Sequence, residues 1–287
     1  MILDALTDII KQAKLKGLNN IYIRNKLKEY LQIVVLNYIY NSDYKYLIFT
    51  GGSCLRHCYK EFNRLSEDLD FDYIKKPNMR NLQLDIERYI KSGMYYRDVF
   101  VSLTNKGRQI LLKFPVLQKL GLADASESNF LYLKVEVSRN PSKNFNTTLT
   151  METERGFTYL IKHYDLSTLM AGKICAILTR ERFKGKEDKE TVKGRDYYDL
   201  IWFLKKEVKP NMKRIKDLID IRSGEELKKR LDMKIEYILS SFRKDIKQDL
   251  QAVLEDTNFS DGFVNNYKEL YEKYSRNLFS DEEIQLK

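Results

Sequence analysis

Apolar residues recur at helical spacing over residues 3–16 and 21–40, where Leu27, Leu31, Val34, Val35 and Tyr38 mark the pattern, so two helices open the chain. Tyr46–Phe49 is a short apolar run that stops at Gly51-Gly52 and predicts a strand. A helix is expected from Ser53 to Tyr59, with Ser53 as its N-cap. Leu69–Ile74 reads as a second strand, closed by Lys75-Lys76-Pro77. Residues 79–91 read as helix, Tyr95–Leu103 and Gln109–Phe114 as β-rich, and the alternation over Phe130–Val137 is the clearest strand of all. The polar stretch 138–150, which contains Pro141, reads as a loop. Helices follow at Leu166–Arg182 and Asp196–Lys205, joined by the charged segment Phe183–Arg195, and residues 212–276 are helical by pattern. The order is α-β-α-β-α-β-β-β and then helix alone. That is an α+β chain, with a mixed-sheet domain expected at 1–160 and a helical bundle domain at 161–287.

Composition narrows the class. Hydrophobic residues make up 43% of the 287, enough for a buried core, and aromatics 12%, which excludes a disordered chain. The longest aliphatic run, Ile33–Leu36, is far too short to span a bilayer, so no membrane role is expected. The opening residues carry no basic region followed by an apolar stretch. Cys54, Cys58 and Cys175 show no metal-ligand spacing and read as reduced thiols, which points to the cytoplasm. With only His57 and His163 available, histidine-centred acid–base or Zn²⁺ chemistry has little support. The net charge of +10 favours a polyanionic partner, although a Lys-rich composition alone would also produce it. Residues 205–287 hold 18 basic and 17 acidic side chains, so the excess lies in residues 1–204, which hold 33 and 24.

That same region carries the candidate chemistry. Gly51-Gly52-Ser53 ends a strand and opens a helix, where backbone N–H groups, a hydroxyl and the positive end of the helix dipole can receive phosphate. Arg56 and Arg64 are near in sequence and can add charge. Asp68 and Asp70 at strand spacing point to one side and can grip a divalent cation, with Asp72 continuing the row. Two carboxylates about 4 Å apart repel by roughly 4 kcal/mol at an effective dielectric near 20, so the pair needs open solvent or a cation. Glu136 projects from the same side of its strand as Lys134 and Ser138, and as a third carboxylate it could complete a metal site and help deprotonate a hydroxyl. Lys173, inside an otherwise apolar helix, must either snorkel to the surface or meet an anion such as a triphosphate. Downstream, Lys193–Leu200 presents Arg195 and Asp199 at i, i+4, compatible with an ordinary surface ion pair, and Asp196 in the first helical turn.

Taken in order, Gly-Gly-Ser-Cys-Leu-Arg, Arg-Leu-Ser-Glu-Asp-Leu-Asp-Phe, a helical Lys173 and Lys-Gly-Arg-Asp-Tyr-Tyr-Asp-Leu resemble the AbiEii/AbiGii-type nucleotidyltransferase toxins. That family includes toxins of abortive-infection and MenT-type toxin–antitoxin systems. The resemblance runs over roughly residues 45–205 and implies a polymerase-β-like nucleotidyltransferase fold followed by a helical domain. It implies that Gly51, Gly52 and Ser53 hold the triphosphate of an NTP, with Arg56 close by. Asp68 and Asp70 would bind Mg²⁺, Lys173 would contact phosphates, and Asp196 would match an essential aspartate. Ser66 falls where some relatives carry a serine that a partner protein phosphorylates. The implied activity is transfer of NMP to the 3′ end of RNA, with tRNA the expected acceptor and an antitoxin the expected partner. Arg180, Arg182, Lys184, Lys186 and Lys189 are expected to guide the RNA backbone. NMP or phosphoryl transfer to a protein hydroxyl, and a catalytically silent nucleic-acid-binding protein, are the competing readings.

Overall fold

A computed structural model describes residues 2–184 and 189–276, and the chain divides into two units. The first comprises residues 1–140 and 147–163, the second residues 141–146 and 164–287.

The first unit opens with α1 (Ile2–Leu15) and α2 (Asn20–Tyr40), then β1 (Ile48–Thr50), α3 (Gly51–Cys58), β2 (Leu69–Tyr73) and α4 (Met79–Arg88), which ends in a π-helical turn at Tyr89–Gly93. It continues with β3 (Phe100–Thr104), β4 (Gln109–Pro115), β5 (Phe130–Arg139), β6 (Thr147–Glu154) and β7 (Phe157–Tyr164). The strands form one mixed seven-stranded sheet in the order β3-β4-β5-β2-β1-β7-β6. β1 runs antiparallel to β2 and parallel to β7, and β2 runs parallel to β5. Asn19 caps α2 by accepting the Tyr22 N–H at 2.9 Å. That helix is buried nearly all round, from Ile23 and Leu27 to Val35 and Leu36, as its long apolar content requires. On the core side of the sheet Phe49 and Phe71 stack at 5.2 Å, and Leu69, Val135 and Val137 join them in the interior. Alternation therefore sends Asp70, Asp72 and Glu136 to the other face.

In the second unit α5 (Leu166–Thr179) leads through short strands β8 (Phe183–Lys184) and β9 (Lys189–Glu190) to α6 (Gly194–Lys205). α7 (Met212–Ile219), α8 (Gly224–Ser241), α9 (Arg243–Gln251), α10 (Thr257–Asn265) and α11 (Tyr267–Ser275) complete it. Asp165 caps α5 through the Thr168 N–H at 2.8 Å. α5 packs on α6, α7 and α8, and α6 packs on α9 and α11, around Ile174, Leu200, Phe203, Leu231 and Leu250. No described helix is long and apolar enough to cross a membrane.

Several elements differ from the sequence reading: α5 ends at Thr179 and not at Arg182, and the charged segment after it contains β8 and β9. α3 begins at Gly51, two residues earlier than expected, with Thr50 at the N-cap position, so Ser53 is a residue of the first turn and not the cap. Residues 95–99 are not strand: Tyr95 takes a left-handed conformation (φ 52°), which breaks extension, and β3 starts only at Phe100. The expected loop 138–150 ends at Asn146, and β6 and β7 follow as a hairpin turned at Arg155 and Gly156 (φ 53° and 82°).

Candidate nucleotidyltransferase site

The first group of candidate residues lies at the end of β1. Gly51 has φ 77°, a conformation that admits glycine readily, and a Cβ there would overlap Oδ2 of Asp70. The Asp70 carboxylate thus lies directly on the Gly51 backbone. At Gly52 a Cβ would come within 2.5 Å of Nη2 of Arg64. Both glycines are needed for close approach, one of a carboxylate and one of a guanidinium. The first N–H groups of α3 have no acceptor within the helix, so this turn is a natural anion seat. Ser53 is fully buried there, and its Oγ has no hydrogen-bond partner among the described residues. A buried hydroxyl left in that state costs stability, which is the expected signature of a group kept for a ligand.

Asp70 pairs with Thr50 on one side and with Glu136 on the other. Residues directly paired on neighbouring strands project from the same face, so Asp70 and Glu136 are side by side. Asp68 immediately precedes β2 and is half-buried. These three carboxylates do not converge as a set to within 4.8 Å of one another. Their donor chemistry nevertheless fits Mg²⁺, which takes one or two carboxylates and completes its shell with water and substrate phosphates, not with an all-protein cage.

Arg56 is placed otherwise than expected. It sits in the last turn of α3, about 7.5 Å along the axis from Gly51 at 1.5 Å per residue. There its Nε donates to Oε1 of Glu29 at 2.5 Å and its Nη1 to the Phe62 carbonyl at 2.9 Å. Burial pushes the Glu29 carboxyl up, but Arg56 and Lys26 outweigh it and hold it below the usual range. The cation over the glycine turn is Arg64, which is buried, lies 5.0 Å above the Phe62 ring and donates to the Leu65 carbonyl. Ser66 is nearly buried, and its carbonyl accepts the Gln32 amide at 2.9 Å. His57 donates its Nε2–H to Oε1 of Gln32 at 3.0 Å, and burial lowers its pKa to about 4, so it is neutral at pH 7.

The second group lies within the helical unit. Lys173 meets carboxylates: its Nζ donates to Oδ1 of Asp196 at 2.7 Å and to Oδ2 of Asp199 at 2.7 Å. Arg180 donates to the other oxygen of Asp196. Burial pushes the Asp196 carboxyl up, yet Lys173, Arg180 and Lys193 together hold it at about 2. Lys193 is depressed, by burial first and then by Arg195, Lys173 and Arg180. Arg195 and Asp199, whose spacing is compatible with an ordinary surface ion pair, are both buried, and each has a partner distant in sequence. Arg195 is nine-tenths buried and turns to Asp249, which also accepts its backbone N–H at 2.9 Å, while Asp199 is fully buried against Lys173. Arg180, Arg182, Lys193 and Lys234 line a small basic pocket over Asp196. Lys184 and Lys189 belong to β8 and β9, and Lys186 lies outside the described residues.

Sequence reasoning also passed over a third cluster. Cys54, Cys58 and His163 bring one ligand atom each to within 4.8 Å of one another, correcting the reading that the cysteines lack metal-ligand spacing. The available signal was Cys at i and i+4 on one helical face. Its partner was hidden because β7, which carries His163, was not foreseen.

Comparison with curated proteins returns no match. Among solved structures, the MenT4 nucleotidyltransferase toxin from Mycobacterium tuberculosis H37Rv is similar, with a TM-score of 0.55 and 16% identity over 96% of this chain and 94% of that one. An antigenic nucleotidyltransferase-like protein from Paracoccidioides brasiliensis is similar over 80% of this chain and 95% of that one, at 16% identity and a TM-score of 0.41. The first likeness bears out the α+β fold with its mixed sheet. The family described as nucleotidyl transferase AbiEii toxin of type IV toxin–antitoxin systems matches residues 38–279. With most of its length inside that match, the chain belongs to the AbiEii family of nucleotidyltransferase toxins.

Proposed function

We propose that this toxin transfers NMP from an NTP to the 3′ end of RNA, with the tRNA acceptor end as its target, and so arrests translation and growth. The observation that carries the reading is the glycine–serine turn: a buried, unpartnered Ser53 hydroxyl beside a Gly51 that lies against the carboxylate of Asp70. In this reading the N–H groups of Gly51, Gly52 and Ser53, with the Ser53 hydroxyl, hold the triphosphate, and Arg64 adds positive charge at the turn. Asp68 and Asp70, with Glu136 beside Asp70, would hold Mg²⁺. When bound, that ion supplies charge neutralisation on the triphosphate and polarises the reacting oxygens. The RNA 3′-oxygen attacks the α-phosphorus, the bond to the bridging oxygen breaks and pyrophosphate leaves. The hydroxyl proton passes to a carboxylate of the Asp70–Glu136 pair and then to solvent. Within the helical unit, Asp196 and Asp199 fix the Lys173 ammonium, and Arg180 fixes Asp196 in turn.

An acceptor RNA would follow basic side chains such as Arg182 and Lys234. Such a reaction requires the NTP and tRNA pools of the cytoplasm. Membership of a type IV family implies an antitoxin partner, and Ser66 is the proposed point of silencing by phosphorylation. The test is incubation with NTPs labelled at the α-phosphate, Mg²⁺, total RNA and a protein acceptor as control. Label in RNA alone supports the proposal, and label in protein alone or in neither contradicts it.

A further inference from the structure

We propose that Cys54, Cys58 and His163 form a binding site for a thiolate-preferring divalent metal of the Zn²⁺ class. The site shares no residue with the proposed Mg²⁺ carboxylates and does not depend on the nucleotidyl-transfer reading.

Two features of the chain build it. Cys54 and Cys58 stand one turn apart on α3, where side chains at i and i+4 lie on the same helical face. His163 stands on β7 and pairs in register with Phe49 of β1, the strand that feeds α3. The three ligand atoms are already within 4.8 Å of one another, close enough for a small ion to draw them in through side-chain rotation.

The histidine is oriented as a ligand should be. Its Nε2 is hydrogen-bonded to Oγ1 of Thr150 at 2.8 Å, and Tyr59 packs edge-on against the ring at 5.6 Å. A partner on one ring nitrogen fixes the orientation of the ring, as supporting groups do for metal-bound imidazoles. Cys54 and His163 are fully buried and Cys58 is half-buried, and a water would complete a four-coordinate shell, as at zinc sites with three protein ligands.

The donor set selects the metal. Two soft thiolates and an imidazole suit Zn²⁺ and its close relatives, and they are poor ligands for Mg²⁺ or Ca²⁺. Binding converts two thiols to thiolates and releases two protons to solvent, with no change of oxidation state. Because the ligands come from α3 and β7, a bound ion would clamp the helix to the sheet one turn beyond Gly51-Gly52-Ser53.

The full chain, reduced and stripped by chelator, is titrated with Co²⁺ and then with Zn²⁺. One equivalent of Co²⁺ should produce a thiolate-to-cobalt charge-transfer band that one equivalent of Zn²⁺ bleaches. Cys58→Ala and His163→Gln should each weaken binding by at least about 100-fold, since loss of a direct ligand should exceed the effect of losing a supporting partner. Zn²⁺ should raise the thermal midpoint of the wild type and not that of Cys58→Ala. Cys175→Ala, whose thiol lies in the other unit, should bind as the wild type does. Circular dichroism identifies the folded variants, so a variant that fails to fold is set aside and the remaining ones decide. A folded, reduced wild type without the band overturns the site, and so does undiminished binding in folded Cys58→Ala or His163→Gln. Loss of binding in Cys175→Ala would do the same.

Discussion

Substituting Ser53 by alanine should move stability and activity in opposite directions. The hydroxyl is fully buried and unpartnered, and a buried polar group in that state costs about 1–3 kcal/mol. Alanine removes the cost and vacates only the space of one oxygen, so Ser53→Ala should be neutral or more stable by roughly 1 kcal/mol. For a unit of this size that corresponds to a rise of roughly 2–4 °C in its unfolding midpoint. If the hydroxyl donates to a phosphate oxygen, the same substitution removes a hydrogen bond to a charged group, worth about 1.5–3 kcal/mol. That is a loss of roughly 10- to 150-fold in kcat/KM for the NTP. Denaturation followed by circular dichroism gives the first quantity, and initial rates of label transfer over a range of NTP concentrations give the second. A Ser53→Ala protein that is less stable by 1 kcal/mol or more and still turns over at the wild-type rate would refute the reasoning. The hydroxyl would then be an ordinary part of the core.

Other substitutions separate the remaining roles. Gly51→Ala forces a left-handed alanine, about 1–2 kcal/mol, and pushes the Asp70 carboxylate aside, so label transfer should fall by about 100-fold in protein that circular dichroism shows to be folded. Arg56→Met should lower stability by about 1–3 kcal/mol through loss of Glu29 while leaving KM for the NTP unchanged, and a raised KM would return Arg56 to the phosphate seat. Asp196→Asn leaves Lys173 with Asp199 alone and takes the carboxylate from Arg180, and should destabilise the helical unit by about 2–3 kcal/mol in urea titrations. The Asp196 carboxyl is held at about 2 in the folded chain against its ordinary 3.8. Its depressed pKa means that the carboxylate stabilises the fold above pH 4 by roughly 2.5 kcal/mol, a contribution lost as pH falls from about 4 to about 2. Acid titrations of wild type and Asp196→Asn should therefore converge toward pH 2, and a constant gap down to that pH would contradict the ion-pair assignment.

Much of the fold is legible in the residue pattern, and the exceptions have physical causes. α2 and β5 announce themselves because each buries a long apolar set. β6 does not, because it is an edge strand with Leu149 and Met151 exposed and Thr on both faces, so no alternation survives. Missing β6 and β7 hid the position of His163, and with it the cluster on Cys54 and Cys58. The carboxylates were readable because strand phase alone puts Asp70 and Asp72 on one face, and Glu136 on the outward side of its own strand. Arg56 and Arg64 could not be ranked from nearness in sequence: the helix carries Arg56 away from its own N-terminus, and the chain returns Arg64 to Gly52. Arg195 and Asp199 have helical spacing, but Asp249 and Lys173, distant in sequence, offer each a buried partner that spacing does not reveal.

The most direct test of the central claim is label transfer by wild type, Asp68→Ala and Asp70→Asn, with NTPs labelled at the α-phosphate, Mg²⁺ and total RNA. The account predicts labelled RNA 3′ ends with the wild type and none with either variant, while both variants remain folded by circular dichroism. Full activity in folded Asp68→Ala or Asp70→Asn would contradict it, as would a wild type that labels no RNA.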